Sequence, residues 1–255
     1  MNAKSFKNYD WFPVRSQDSK RNPSESITLM LAHHSKQLKS VESNGVYERV
    51  KSYLISNELS AGKRIMVEPI ADRLFVSATP VREALIRLAA ERMIDDVPRT
   101  GFFVKKLSES ETADLYRLQH LLLDWSISVI EDDNRVLGIL KPPNLLDELR
   151  TVKNVQSNVV TRIQYDLFVH IAAQSGNEDI SYVVSNISDR THYIRKRDYE
   201  IYGDAKRQLL LLCQAYSQKD FEKVRKKLRD YFHEKIDQLP SLLKIIRNDS
   251  LKTHK

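Results

Sequence analysis

The chain has 255 residues, 41 Lys and Arg against 34 Asp and Glu for a formal charge of +7, six glycines and one cysteine. No apolar run approaches the ~20 residues of a membrane span, and the N-terminus lacks the apolar core of a signal peptide. Cys213 alone excludes an intramolecular disulfide and a cysteine-based zinc cluster and is expected to be a buried core residue. A cytoplasmic protein with no membrane partner fits these limits. So few glycines point to a mainly α chain rather than a sandwich or a Gly-rich nucleotide loop. The positive charge sits early: residues 1–44 carry 7 basic and 4 acidic side chains, residues 45–107 carry 11 and 8, and the remaining 148 carry 23 and 22. A polyanionic partner is therefore expected for the first part of the chain.

Residues 1–44 alternate charges, Ser and Asn with a few aromatics (Phe6, Tyr9, Trp11, Phe12), and read as a largely disordered arm. From Gly45 the pattern changes. Val46, Val50, Tyr53 and Leu54 mark one face of a helix ending near Asn57, and Leu59–Gly62 makes a turn. Pro69 opens a second helix to about Leu74, with Ile70, Ala71 and Leu74 facing inward. After a turn at 75–78, Thr79 is placed to cap a third helix and Pro80 to take its first position. Val81, Leu85 and Leu88 then form an apolar stripe, with Thr79, Arg82 and Ile86 on the opposite side. Two short helices around a tight turn, the second presenting a hydroxyl and a guanidinium, make a helix-turn-helix plan. Met93–Val97 and Phe102–Val104 flank Pro98-Arg99-Thr100-Gly101 as a β-hairpin, which adds a wing.

Residues 46–104 resemble the DNA-binding domain of the GntR family of bacterial transcription regulators. The matching residues are Leu59, Gly62, Ile70-Ala71, Val76-Ser77, Thr79–Leu85, Arg87-Leu88 and Gly101. The resemblance implies double-stranded DNA as partner, a homodimer, and DNA contacts from Lys63, Arg64, Arg73, Ser77, Thr79, Arg82, Arg87, Arg99, Thr100 and Gly101. Two positions depart from the family: Ala78 stands where an arginine usually reads guanine, and Arg92 where a glycine usually ends the recognition helix.

Ser108 with Glu111 forms a capping box after a brief hinge, and Ala113, Leu115, Leu118, Leu122, Trp125 and Val129 continue a long amphipathic helix. Further helices are expected at about 143–153, 157–175, 178–200, 204–217 and 220–246, with no strand. The expected fold is thus a winged helix-turn-helix domain at 45–107 and an all-helical bundle at 108–247, with a tail at 248–255. The bundle resembles the ligand-sensing FCD domain of FadR-type GntR regulators through Asp114-Leu115-Tyr116, Asp166–His170, Ser175-Gly176-Asn177, Ala215, Asp220 and Leu228.

That resemblance implies a small-molecule effector and a divalent metal held by one Asp and three His. Asp166 and His170 match two ligands, but the other two positions are Leu209 and Tyr231, and His233 lies about 200° round the helix from the second of these. The family's ligand-anchoring Arg is here Gln119 and its following Glu is Leu123. Asp166 and His170 are therefore read first as a satisfied buried pair, with an incomplete metal site as the alternative; Gln119, Asp166, His170, Leu209 and Tyr231 outline the effector pocket. The basic runs Arg195-Lys196-Arg197 and Arg225-Lys226-Lys227 are read as solvated faces. The functional reading is a DNA-binding transcription regulator and not an enzyme. Its rival is an interaction module with non-specific DNA binding and a degenerate helical domain.

Overall fold

The computed structural model describes residues 45–56, 61–132 and 156–252. The arm at 1–44 and the helix expected at 143–153 lie outside the described residues. A first helix, α1 (45–56), precedes a two-residue strand β1 (Arg64–Ile65), α2 (Val67–Leu74) and α3 (Ala78–Ala90). Strands β2 (Ile94–Val97) and β3 (Gly101–Val104) follow. The expected hairpin is present with β1 on its free side, in the order β1-β3-β2, all antiparallel. A strand of two residues has no period to read, so β1 leaves no trace in the sequence pattern.

Tyr47 and Val50 of α1, Ile70 and Ala71 of α2, Val81, Ala84, Leu85 and Leu88 of α3, and Ile94 and Phe102 of the wing share one core. Val81, Leu85 and Leu88 are completely buried, each worth about 1.5–3 kcal/mol of apolar transfer. Both short helices begin earlier than expected. α2 starts at Val67 rather than Pro69, and α3 at Ala78 with Ser77, not Thr79, at the cap position. Pro69 and Pro80 are each the third helical residue. The missing N–H is harmless anywhere in the first turn, where no intrahelical acceptor exists, so proline marks the turn and not the residue.

The turn that closes α3 places Arg92, two residues past its end at Ala90, at a left-handed φ of 60°. The Met93 amide bonds the Leu88 carbonyl at 3.0 Å and the Arg92 amide that of Ala89 at 2.9 Å, the pairing that favours glycine at this position. Arg92 also adds its charge to the burial that holds the Arg190 guanidinium below its ordinary pKa. Arg92→Gly is therefore expected to stabilise the fold by about 1 kcal/mol. Urea unfolding followed by circular dichroism would show a higher midpoint at unchanged slope.

The bundle comprises α4 (Glu109–Asp132), α5 (Ser157–Gln174), α6 (Glu178–Arg190), α7 (His192–Tyr202), α8 (Ala205–Ser217) and α9 (Phe221–Lys252). The capping box is formed on both sides: the Glu111 amide donates to Ser108 Oγ at 3.1 Å and the Ser108 amide to Glu111 Oε2 at 2.9 Å. The helix expected at 178–200 is broken at Thr191, whose hydroxyl bonds back to the Ile187 carbonyl at 2.8 Å. α9 runs through Pro240 to Lys252, past the expected helix end near 246.

The inward face of α4 is only in part the one its sequence pattern suggested. Ala113 and Leu115 are buried as expected, but Leu118 and Trp125 are exposed, and Thr112, Tyr116, Gln119, Leu123, Ser126, Ile127 and Ile130 complete the buried face. Three of those nine buried residues are polar, so a hydrophobicity pattern slides off the true face. Cys213 is buried, and burial pushes its thiol up to about 12.

Candidate functional site

The outward face of α3 carries the side chains suited to a nucleic-acid groove. Ser77 at the cap and Thr79 and Arg82 in the first turns are exposed, with Thr79 and Arg82 turned away from the Val81–Leu85–Leu88 stripe. No hydrogen bond or ion pair among the described residues engages the Arg82 guanidinium, which leaves its five donors to a ligand. Arg87, one turn on, is used differently: its guanidinium lies 3.9 Å from the Tyr47 ring centre and its Nε bonds Glu91 Oε1 at 3.2 Å. It fastens α3 to α1 rather than standing free.

The wing brings Arg99, Thr100 and Gly101 to an exposed tip. Arg99 adopts a left-handed φ of 63°, and the Thr100 amide closes the turn on the Val97 carbonyl at 3.0 Å. Gly101 has φ 113° and no side chain where Arg64 crosses; a Cβ would sit 3.6 Å from that guanidinium. Lys63 and Arg64 lie exposed at the start of β1, against the wing, and Arg73 projects from the last turn of α2 above the Tyr53 ring at 5.8 Å.

The back of this unit is tied to the bundle through α6. Lys51 Nζ pairs with Asp189 Oδ2 at 2.5 Å, and Asn186 Nδ2 donates to the Glu91 carbonyl at the end of α3 at 3.0 Å. Burial penalises the Lys51 charge, yet Asp189 holds the ammonium above its ordinary pKa, as expected of a persistent pair. The Glu91 side chain accepts from the Tyr47 hydroxyl.

The opposite face of α6 borders a polar seam inside the bundle. Gln119 Nε2 bonds Ser188 Oγ at 2.8 Å and the Val184 carbonyl at 3.3 Å, while its Oε1 has no partner. Arg195, expected on a solvated face, is instead 1% exposed. Its Nη2 bonds the Ser188 carbonyl at 2.7 Å and its Nη1 bonds Gln164 Oε1 at 2.8 Å. Its Nε has no partner, and no carboxylate pairs with it among the described residues. A charged run hides this residue in sequence. The available signal is that Ile194, Arg195, Asp198 and Tyr199 occupy one side of α7, and all four are buried.

Gln164 passes the contact on: its Nε2 donates to the Tyr231 hydroxyl at 2.6 Å, and its Oε1 also accepts from Tyr199. Tyr199, Tyr231, Leu209, Gln164 and Gln208 line a cavity of about 110 Å³, in which Gln208 Oε1 is a buried acceptor without a donor. Beside it Lys235 Nζ and Asp198 Oδ2, both nearly inaccessible, pair at 2.9 Å.

Of the five residues expected to outline a pocket, Leu209 and Tyr231 line this cavity, while Gln119, Asp166 and His170 do not. Asp166 and His170 are half-buried, and no hydrogen bond joins them. Burial raises the Asp166 pKa and lowers that of His170, disfavouring both charges, and His170 Nε2 has no partner. The satisfied pair expected from the sequence is therefore not formed. The donor set does not fit a divalent metal either: no group of three His, Cys, Asp or Glu assembles among the described residues, and leucine and tyrosine hold the two remaining family positions.

Comparison with known proteins bears on the DNA-binding unit first. Residues 42–104 match the family model described as bacterial regulatory proteins, gntR family. The chain is similar to the Nta operon transcriptional regulator of Aminobacter aminovorans, at 26% identity over 148 residues, 57% of this chain and 70% of that protein. It is also similar to the HTH-type transcriptional regulator YdhC of Bacillus subtilis strain 168, at 22% identity over 72% of this chain and 81% of that protein. Among solved structures, McbR/YncC of E. coli superposes with a TM-score of 0.61 at 20% identity, covering 78% of this chain and 97% of the other. A GntR regulator from Rhodococcus sp. RHA1 gives 0.63 at 17% identity, covering 79% and 98%. These two share the fold of both the winged unit and the bundle. With a matched family domain presenting an exposed Arg82 and an exposed wing, the chain is a DNA-binding transcription regulator of the GntR type.

Proposed function

We propose that the chain acts as a homodimer on a palindromic operator and belongs to the FadR-type, FCD-bearing branch of the family, with residues 45–107 binding DNA and 108–247 sensing and dimerising. The observation that carries the reading is the outward face of α3, where Arg82 and Thr79 stand exposed, with no partner among the described residues, on the side away from a fully buried stripe. In this reading α3 enters the major groove, with Arg82, Thr79 and Ser77 nearest the bases. Lys63, Arg64, Arg73 and the wing residues Arg99, Thr100 and Gly101 meet phosphates and the adjoining minor groove. Arg87, bound to Tyr47 and Glu91, serves the fold. Dimerisation is supported by an apolar stripe on the outer face of α4, where Leu118, Leu121 and Trp125 are exposed at helical spacing.

Effector control is supported by the seam around α6. Val184 and Ser188 meet Gln119 and Arg195 from inside, and Asn186 and Asp189 hold the winged unit from outside. A ligand in the Tyr199–Tyr231 cavity that displaced Gln164 would alter the Arg195 contacts and so the seating of α6, biasing the attitude of the two winged units. The test is a titration of a promoter duplex with wild type and Lys63→Ala across a salt series. A two-to-one complex is expected, and the slope of log K against log salt should fall by about 2 for the variant, one phosphate contact per copy. A one-to-one complex removes the dimer, and an unchanged slope removes the phosphate role of Lys63.

A further inference from the structure

One side chain on the outward face of α3 does not belong with its neighbours. Ile86 is 53% exposed, the single large hydrophobic on α3 left open to solvent. At ~100° per residue it lies about 20° from the azimuth of Thr79 and about 40° from that of Arg82, near the middle of the face opposite the buried stripe. It stands one turn beyond Arg82, about 6 Å along the axis, which corresponds to one or two base pairs of rise. A branched hydrocarbon at the centre of a groove-facing helix loses water on docking and has no use for a donor or acceptor. The apolar group that base edges offer in the major groove is the C5-methyl of thymine.

We propose that Ile86 is a specificity-determining residue that reads a thymine methyl, one or two base pairs from the base contacted by Arg82. The inference rests on α3 being the recognition helix. Burying part of Ile86 against a methyl is a contact that uracil, identical on its hydrogen-bonding edge, does not provide. The half-site therefore combines a polar contact at Arg82 with an adjoining apolar one at Ile86, and the second is read by shape alone.

The experiment selects binding sites from a random duplex library with full-length wild type, Ile86→Ala and Arg82→Ala. It then measures affinity for the wild-type site with deoxyuridine replacing each thymine in turn. For wild type, one thymine per half-site should be sensitive, losing about 3–10-fold in affinity when its methyl is removed. For Ile86→Ala that substitution should cost less than about 2-fold, and the selected site should lose its preference for thymine there alone. Ile86→Val keeps a branched apolar surface and is expected to retain the sensitivity. If no thymine is sensitive in wild type, or the sensitivity persists in Ile86→Ala, the inference is overturned. The parent reading fails separately: an unchanged site selected by Arg82→Ala shows that α3 is not the reading helix.

Discussion

Arg82→Ala is expected to weaken operator binding by at least about 30-fold while leaving non-specific binding nearly intact. A bidentate arginine on a base contributes about 1–3 kcal/mol of discrimination, and a dimer applies it twice, so the loss is about 2–6 kcal/mol at low ionic strength. The effect should be large here because the arginine usually found one turn earlier in the family is Ala78, which offers no donor. Arg82 is also ready to act, since among the described residues its guanidinium has no partner to leave. The measurement is competition binding with operator and scrambled duplexes at fixed salt. The ratio of the two affinities should collapse toward one, because the phosphate contacts at Lys63, Arg64 and the wing remain. A uniform loss on both duplexes would make Arg82 a phosphate contact, and no loss would take it out of the interface.

Much of the winged unit was legible because its residues act locally. A stripe at 81, 85 and 88, a proline in each first turn, and a glycine in the wing each have a mechanism confined to a few neighbours. The register slipped only where one mechanism admits several positions, as with Pro69 and Pro80. The bundle resisted for the opposite reason. Its decisive groups are polar and buried, and they are satisfied by residues far off in the chain. Gln119 is paired with Ser188, Arg195 with Gln164 and Lys235 with Asp198, none of which a hydropathy period can register. Charged runs mislead most. Arg195-Lys196-Arg197 spans a fully buried guanidinium, a Lys196 pair with Glu200 at 3.6 Å and an Arg197 pair with the same Glu200 at 2.7 Å. Only the helical phase, which needs the boundaries of α7, separates the first from the others.

Polar contacts also account for how the bundle sits against the DNA-binding unit without an extensive shared core. The apolar clusters of the two are separate, one running from Tyr47 to Phe102 and the other from Ala113 to Leu243. What joins them through α6 is polar and directional: the Lys51–Asp189 pair and the Asn186 bond to the Glu91 carbonyl. Such contacts fix an angle and lose strength steeply when the angle changes, whereas a broad apolar interface tolerates sliding. Glu91 follows the last helical residue of α3, so a small rotation of α6 reaches α3 within one turn of Arg87.

Asp198→Asn is expected to destabilise the chain by about 3–5 kcal/mol, because it takes the buried carboxylate from the Lys235 ammonium and leaves it only the longer 3.3 Å contacts to Glu234 and Gln238. Lys235 and Asp198 are each under 5% exposed and 2.9 Å apart, tying α9 to α7. Burial alone would push the Lys235 pKa down, and Asp198, with Tyr231 and Glu234, reverses that and holds it above 10.5. The sign of the pH dependence follows. In wild type the raised pKa contributes stability that is present below pH 10.5 and is lost as pH climbs through the folded value. In Asp198→Asn burial governs, the folded pKa falls below 10.5, and stability should instead rise as pH increases toward 10. Urea unfolding from pH 7 to 10 distinguishes the two slopes. The double change Asp198→Leu with Lys235→Met removes both charges at similar volume, and it should recover most of the loss, since a buried pair costs much to break and little to replace. If the single variant loses under about 1 kcal/mol, water reaches Lys235, and the closure of the bundle between α7 and α9 is looser than its geometry implies.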